Sequence, residues 1–259
     1  MDGVIRRLRS GELTGGEPID QFVLLLQEAY RRDDAIPVRL WRGDAVPGRI
    51  APTETRDADV GHFRRDDGLA VLYAPSMRNG IIDLNREDRG NAIVSTISLE
   101  DPLLVELPIE RQRRVAVAST LTGVTTTGAA WRVRVADVHL DTALALTSGG
   151  PFAARRRQAE ALIGALSEWG SPAAASETLV VAGDFNTWGG REPAIQLLDR
   201  TYPDTPAAIN EATWRGPLGM HATLDHVFTT RGTARSIDVR RLQSRFGSDH
   251  YPLLLTIRF

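Results

Sequence analysis

Short apolar runs recur along the chain, rich in Val, Ile and Leu and bounded by Gly, Pro, Asp or Asn: Phe22–Leu26, Leu69–Ala74, Ala92–Ile97, Val115–Ala118, Trp131–Leu140, Leu179–Ala182, Leu224–Phe228 and Leu253–Ile257. Runs of this length and composition predict strands. Ala154–Trp169 instead sets Ala159, Leu162, Ile163 and Leu166 at helical spacing, with Gly170 and Pro172 as stop signals, and predicts a helix. A shorter helix is predicted at Pro193–Leu198. Many strands with few helices between them predict an α/β (α+β) sandwich on mixed sheets. No stretch of Gly, Pro or Ser interrupts the sequence for long and nothing repeats, so 1–259 reads as a single domain. Asp33–Gly68 carries Pro37, Pro47 and Pro52 among many charges and reads as a surface excursion that shapes a binding face.

Chemistry concentrates where polar residues interrupt these strands. In Asp137-Val138-His139-Leu140-Asp141, alternation puts Asp137, His139 and Asp141 on one face at a strand's end, although a solvated strand end reads the same way. The run Leu179–Ala182 leads into Gly183-Asp184-Phe185-Asn186, where a carboxylate and an amide share a face and could address one phosphate and its attacking water; Gly, Asp and Asn are also turn formers. Asp225 sits inside an apolar run, where a carboxylate needs a partner, and His250 in Ser248-Asp249-His250 can be that partner. His226 points away from Asp225 by alternation and reads as structural, whereas His221 is undecided. Glu28, just past the run Phe22–Leu26, is a candidate ligand for a hard cation or an ordinary strand-end charge. Together these strand ends describe an oxygen-rich, histidine-containing site suited to phosphate-ester hydrolysis with Mg²⁺ or Mn²⁺.

Composition narrows the setting. The 259 residues are 42 % hydrophobic and 25 % charged, which excludes a disordered or collagen-like chain. The chain has no cysteine, which excludes thiol nucleophiles, zinc ribbons and disulfide scaffolds. The 31 basic residues are all arginine, and against 33 acidic ones they leave a net charge of −2, which argues against non-specific coating of nucleic acid but allows a local basic groove. No apolar run approaches the ~20 residues that span a bilayer, and no signal peptide is legible, so a cytoplasmic monomer is expected. Basic–aromatic pairs that could stack on nucleic acid occur at Trp41–Arg42, Phe63 with Arg64 and Arg65, and Trp214–Arg215; aromatic core with solvated arginine is the plainer reading.

The motifs LQE (Leu26–Glu28), RGNAIVST (Arg89–Thr96), DVHLD (Asp137–Asp141), GDFN (Gly183–Asn186), LDHVF (Leu224–Phe228) and SDHYP (Ser248–Pro252) arrive in an order that resembles the endonuclease/exonuclease/phosphatase superfamily, nearest its deoxyribonuclease I-like and sphingomyelinase-like branches. The resemblance implies a four-layer α/β sandwich, two mixed sheets face to face with helices outside, acting on a phosphate-ester substrate that includes nucleic acid among its candidates. It further implies that Glu28 and Asp249 serve the metal and that Asp184 activates water. In the same way Asn186 would hold the phosphate, and His250, oriented by Asp225, would bond the scissile phosphate. His139 would stabilise the phosphate or protonate the leaving oxygen.

Two departures from the family pattern stand out. Residues 1–20 contain no asparagine and no strand pattern, where the family opens with a metal-binding Asn on a strand; a truncated start, or a catalytically impaired binding or scaffold member, is the implied alternative. In the deoxyribonuclease branch the equivalent of His139 pairs with a glutamate, whereas the corresponding place here reads Arg113-Arg114-Val115. Arg114, and with it Asn91, is therefore a candidate for direct phosphate contact, against a solvated flank or a turn. The substrate class, whether nucleic acid, phospholipid or inositol phosphate, stays open at the level of sequence.

Overall fold

The computed structural model describes residues 2–32, 48–49, 60–65, 67–78, 87–142, 149–169, 177–189, 191–206, 209 and 211–259. In chain order its elements are α1 (Asp2–Arg9), β1 (Val23–Arg32), β2 (Gly48–Arg49), α2 (His62–Arg65), β3 (Ala70–Arg78), β4 (Glu87–Ser95), β5 (Glu100–Glu106), β6 (Val115–Val124), β7 (Ala130–His139), α3 (Gly150–Glu168), β8 (Thr178–Asp184), α4 (Pro193–Thr201), β9 (Trp214–Arg215), β10 (His221–Ala222), β11 (Asp225–Thr230), β12 (Ser236–Arg241) and β13 (Leu253–Arg258). One sheet has the order β1-β4-β3-β2 and is antiparallel throughout. The other has the order β11-β8-β7-β6-β5. Within it β7 and β8 run parallel, as a connection through α3 requires, while the other neighbours are antiparallel.

Period-2 alternation sorts the side chains into layers. Leu72, Ala74 and Ile93 of the first sheet meet Val115, Val117, Val133, Val135 and Val180 of the second in an inner apolar layer. On its other side the first sheet buries Val71, Tyr73, Ala92 and Val94 against Val4, Ile5 and Leu8 of α1. The second sheet buries Ala116, Ala136, Val138 and Val181 against Leu162 and Leu166 of α3 and Ile195 and Leu198 of α4. The chain is thus a four-layer α/β sandwich, helix on sheet on sheet on helix. Truncating a core residue such as Leu162, which is fully buried, should cost about 2–5 kcal/mol.

Each predicted strand forms, with bounds moved by a few residues, and both predicted helices form. Unpredicted are α1, β5 and β12, together with the short elements β2, α2, β9 and β10. β5 has only the short run Leu103-Leu104-Val105 after Glu100, Asp101 and Pro102, and β12 sets Ile237 and Val239 among Asp238, Arg240 and Arg241, so neither carries an apolar run of strand length. Residues 2–9, within the stretch expected to lack a strand, are helical and amphipathic. Among the described residues, β1 pairs only with β4 and β13 only with β12. Their apolar side chains nonetheless serve the same two layers: Leu24, Leu26 and Leu254 on one side, Val23, Leu25, Leu255 and Ile257 on the other. Most of the excursion Asp33–Gly68, with Trp41 and Arg42, lies outside the described residues; Phe63 is buried beneath the first sheet.

Candidate active site

The inner layer of the second sheet changes character at one end. Along β7 its inward positions run Val133, Val135, Asp137, His139; along β8 they run Val180, Ala182, Asp184; on β11 Val227 gives way to Asp225. His139 is the register partner of Asp184, and Asp184 is the register partner of Asp225. Three polar side chains therefore stand in a row across adjacent strands where apolar packing stops. Gly183 makes this row possible: at φ 146° it lies so close to β7 that a Cβ would sit 2.0 Å from the Val138 carbonyl oxygen. Beyond it the chain turns through Asn186, whose backbone N–H donates to Asp184 Oδ1 (2.8 Å) and whose Nδ2 donates to the Leu140 carbonyl (2.9 Å). The turn is thereby bonded to the ends of both strands.

His250 completes the group from the segment before β13. Its Nδ1 donates to Asp225 Oδ2 at 2.8 Å, and its Nε2 lies 3.9 Å from Asp184 Oδ2, while His139 Nε2 lies 3.6 Å from the same oxygen. One buried residue that the sequence does not flag joins the parts. The Thr213 hydroxyl accepts from the backbone N–H of Leu224 and of Asp225, both at 3.0 Å, and the Thr213 carbonyl accepts from the N–H of Tyr251 at 2.6 Å. Thr213 thus ties the start of β11 to the segment that carries His250.

The electrostatics separate these groups. Burial alone would lower the His250 pKa, but the hydrogen bond and charge of Asp225, with Asp184 and Asp249, outweigh it and push it up to about 9. His139 goes the other way: burial, then Arg114 and His250, hold it well below the usual imidazole range. Burial and the neighbouring Asp225 raise Asp184 to about 7, against His250, the Asn186 N–H and Arg114. Near neutrality the site holds one charged imidazole, one neutral imidazole and one carboxyl close to its titration point, a division of acid and base character found where protons are moved.

The remaining candidates are distributed as follows. Arg114 is 1 % exposed and turned inward, its Nη1 3.0 Å from His139 Nδ1, so its guanidinium serves the histidine and does not face solvent. Asn91 is fully buried between the sheets, where its Nδ2 donates to the Asp137 carbonyl at 3.2 Å; here too the structure gives an interior role in place of an exposed phosphate donor. Asp137 and His139 share the inward face of β7 as alternation predicts, whereas Asp141 lies beyond the strand, and each has separate partners. Asp137 is fully buried and accepts from Gln27, whereas Asp141 accepts from the backbone N–H groups of Arg111 (2.7 Å) and Gln112 (3.0 Å). His226 faces away from Asp225 as alternation predicts; it packs on Phe185 and Phe228, and Thr187 Oγ1 lies 2.9 Å from its Nε2. His221 is exposed and donates from Nδ1 to the Gly219 carbonyl.

Glu28 sits in a β-bulge, at φ 51° and within the register shift between Leu26 and Ala29. The bulge turns Gln27 inward to Asp137 and leaves Glu28 half-exposed, its Oε2 2.6 Å from Arg89 Nη1. Asp249 Oδ2 accepts from Trp214 Nε1 at 3.0 Å. Among the described residues no three His, Asp or Glu side chains gather as a closed metal cage. The donor chemistry nevertheless fits a hard ion, because Mg²⁺ keeps several waters and needs only one or two protein carboxylates beside substrate phosphate. That a cationic guanidinium already rests on Glu28 is in keeping with a carboxylate that takes positive charge.

Two further features lie beside the row. The guanidinium carbons of Arg241, Arg215 and Arg245 lie 4.1, 5.7 and 5.8 Å from the Tyr251 ring centroid, next to a cavity of about 470 Å³ that Glu211, Met220 and His221 also line. The turn between β9 and β10 exposes Leu218 fully and Met220 in large part, a surface that the sequence does not signal. Behind the GDFN turn, buried Arg155 makes a bidentate pair with Glu192, which also accepts from the Trp188 N–H at 2.8 Å and so fixes the loop that follows Asn186.

A two-sheet sandwich with carboxylates and imidazoles gathered where its inner layer ends is the framework of a phosphoesterase fold. The model of the Endonuclease/Exonuclease/phosphatase family matches residues 1–250, and the chain belongs to that family. The family includes metal-dependent nucleases and phosphodiesterases, and its enzymes are generally dependent on divalent metal. No curated protein sequence matches the chain. Among solved structures it resembles an endonuclease/exonuclease/phosphatase family protein from Leptotrichia buccalis (TM-score 0.61, 12 % identity, covering 100 % of this chain and 93 % of that one). It also resembles one from Beutenbergia cavernae (0.58, 17 %, 98 % and 65 %). A third likeness is to truncated TDP2 from Caenorhabditis elegans (0.53, 13 %, 100 % and 92 %). At these identities the likeness is one of fold. Among the described residues no helix is long and apolar enough to cross a membrane.

Proposed function

We propose that this protein is a divalent-metal-dependent phosphodiesterase that hydrolyses its substrate by in-line attack of water. The observation that carries this reading is the row His139–Asp184–Asp225 with His250 standing over it, because it brings a base, a cationic donor and a neutral donor to one place. Asp184 takes the proton of the attacking water, for which a carboxyl raised to about 7 is well matched. His250, held charged by Asp225, donates from Nε2 to a non-bridging phosphate oxygen and neutralises the charge that grows there. Asn186 holds the turn in place beside the phosphate. Glu28 and Asp249 would hold Mg²⁺ or Mn²⁺, which when bound supplies further charge neutralisation on the phosphate.

Between substrate classes, exposed Arg215 and Arg245 beside Tyr251, a ring that Arg241 also faces while paired with Glu211, favour a polyanion over an isolated phosphate monoester, and a nucleic-acid strand over a phospholipid or inositol phosphate. The test uses the purified protein with bis-p-nitrophenyl phosphate and Mg²⁺ or Mn²⁺. Hydrolysis that falls by about 10² or more in Asp184→Ala supports the reading. Full activity in that variant, or none in the natural protein on that diester and on single-stranded DNA, duplex DNA and RNA, overturns it.

A further inference from the structure

Arg114 approaches His139 from the side opposite Asp184. Its Nη1 lies 3.0 Å from His139 Nδ1, both side chains are buried, and His139 Nε2 points toward Asp184 Oδ2 at 3.6 Å. The guanidinium is itself held in orientation: with the Gln112 amide turned to satisfy both groups, its oxygen accepts from Arg114 Nε at 3.2 Å and from Nη2. A guanidinium has five N–H donors, no acceptor, and does not deprotonate in proteins. A nitrogen bonded to it must therefore offer a lone pair. If Nδ1 carries the lone pair, the ring proton is on Nε2, on the side that faces the substrate position.

We propose that Arg114 fixes His139 as a neutral imidazole protonated on Nε2, so that His139 donates a hydrogen bond to a substrate oxygen and does not deliver a proton to it. The second half of this statement rests on the phosphodiesterase reading above; the first half is a property of the pair alone. On balance the charged and titratable groups around the pair disfavour an imidazolium at 139. His250 and Arg114 both place positive charge near His139, and burial penalises its charged form. Asp184 is the carboxylate that faces Nε2, beyond hydrogen-bond distance. Burial lowers the Arg114 pKa, and Arg111 lowers it further, against the negative charge of Asp141, Glu28 and Asp184; a guanidinium stays protonated in a protein all the same. An imidazolium at 139 would set an N–H against an N–H across 3.0 Å inside the protein, a like-charge contact with no acceptor.

The consequence is a division of labour between the two imidazoles that flank Asp184. Asp225 accepts from His250 Nδ1 and stabilises the imidazolium; Arg114 donates to His139 Nδ1 and forbids it. The two rings present the same Nε2–H to the same spot, one charged and one neutral. Arg114 is thus a positioning residue that acts through a histidine's tautomer.

The experiment is heteronuclear NMR of the histidine ring nitrogens in the intact protein. The chain has five histidines, so His139 is assigned by the signal lost in His139→Gln. The expected spectrum has an unprotonated Nδ1 and a protonated Nε2 at residue 139, unchanged from about pH 5 to about pH 8. A protonated Nδ1, or a ring that titrates in that window, overturns the proposal without any assay of activity. Arg114→Glu places an acceptor at the same position and should make His139 titratable and add a histidine limb to the pH profile of kcat/KM. Arg114→Lys, which keeps a donor and a charge, should leave the tautomer and the profile as they are and serves if the glutamate variant fails to fold. A natural tautomer as expected in a protein inactive on every phosphodiester leaves the Arg114–His139 relation standing and removes only the catalytic reading.

Discussion

Asp184 and Asp225 face each other directly across the β8–β11 ladder, and His250 bonds the second while lying 3.9 Å from the first. Asp225 spends its charge on the imidazolium of His250, and Asp184, with burial and a like-charged neighbour against it, holds its proton to about 7.

Asp225→Asn removes the charge that keeps His250 protonated. Activity that depends on the imidazolium is present below the His250 pKa and lost as pH rises through it, about 9 in the natural protein. The variant should lose activity at lower pH, with kcat down by roughly 10²–10³ at neutrality. An alkaline limb at an unchanged position in the kcat profile would contradict the role given to this pair.

Thr213→Val keeps the shape of the side chain and deletes the acceptor of two backbone N–H groups. The expected loss of stability is about 1–3 kcal/mol by denaturant unfolding, from two orphaned donors. Because those donors belong to the start of β11, kcat should fall while KM changes little.

Asp137 is fully buried, with Oδ2 and the nearby Asn91 Oδ1 both lacking a hydrogen-bond partner among the described residues, and burial pushes its pKa up to about 8. Gln27 donates to Oδ1 and Asn91 Nδ2 to the Asp137 carbonyl, and a proton on Asp137 adds a donor between the two oxygens left without one. From the ordinary carboxylate value up to about 8, the folded chain keeps that proton and the unfolded chain does not. Stability therefore declines with rising pH across this window, by at most about 1.4 kcal/mol per unit. Asp137→Asn should raise Tm near pH 8 and change it little near pH 3, where both states of the natural protein are largely protonated. An equal shift at both values would show that proton linkage is not the cause.

Chelation by EDTA should abolish hydrolysis, and added Mg²⁺ or Mn²⁺ should restore it. Glu28→Gln removes one of the two proposed ligands and should raise the metal concentration for half-maximal activity by about ten-fold or more, read from a metal titration. Half-maximal metal unchanged in this variant would place the ion away from the bulge.

Much of the fold was legible because the strands that fill the sandwich are the apolar runs, and burial on both faces leaves no room for polar residues in them. The site was legible for the same reason. Asp184 and Asp225 stand out as carboxylates at the ends of runs where a lone charge is costly, and the pairing of Asp225 with His250 follows from that cost. β5 and β12 escaped notice because edge and half-exposed strands mix charge with apolar residues.

What the sequence by itself determined is the inventory: a thiol-free set of carboxylates, an amide and imidazoles, each fixed to a strand end by period-2 alternation, and an apolar pattern compatible only with stacked sheets. What the tertiary structure decided is who faces whom. Gln27 meets Asp137 across 110 residues of chain, Thr213 joins two segments with no mark in its own neighbourhood, and Arg114 turns inward to a histidine where the sequence equally allowed an outward phosphate donor. Local pattern encodes which face a side chain takes; its partner is set by strand register, a bulge and the packing of one sheet on another, and these exist only once the chain has folded.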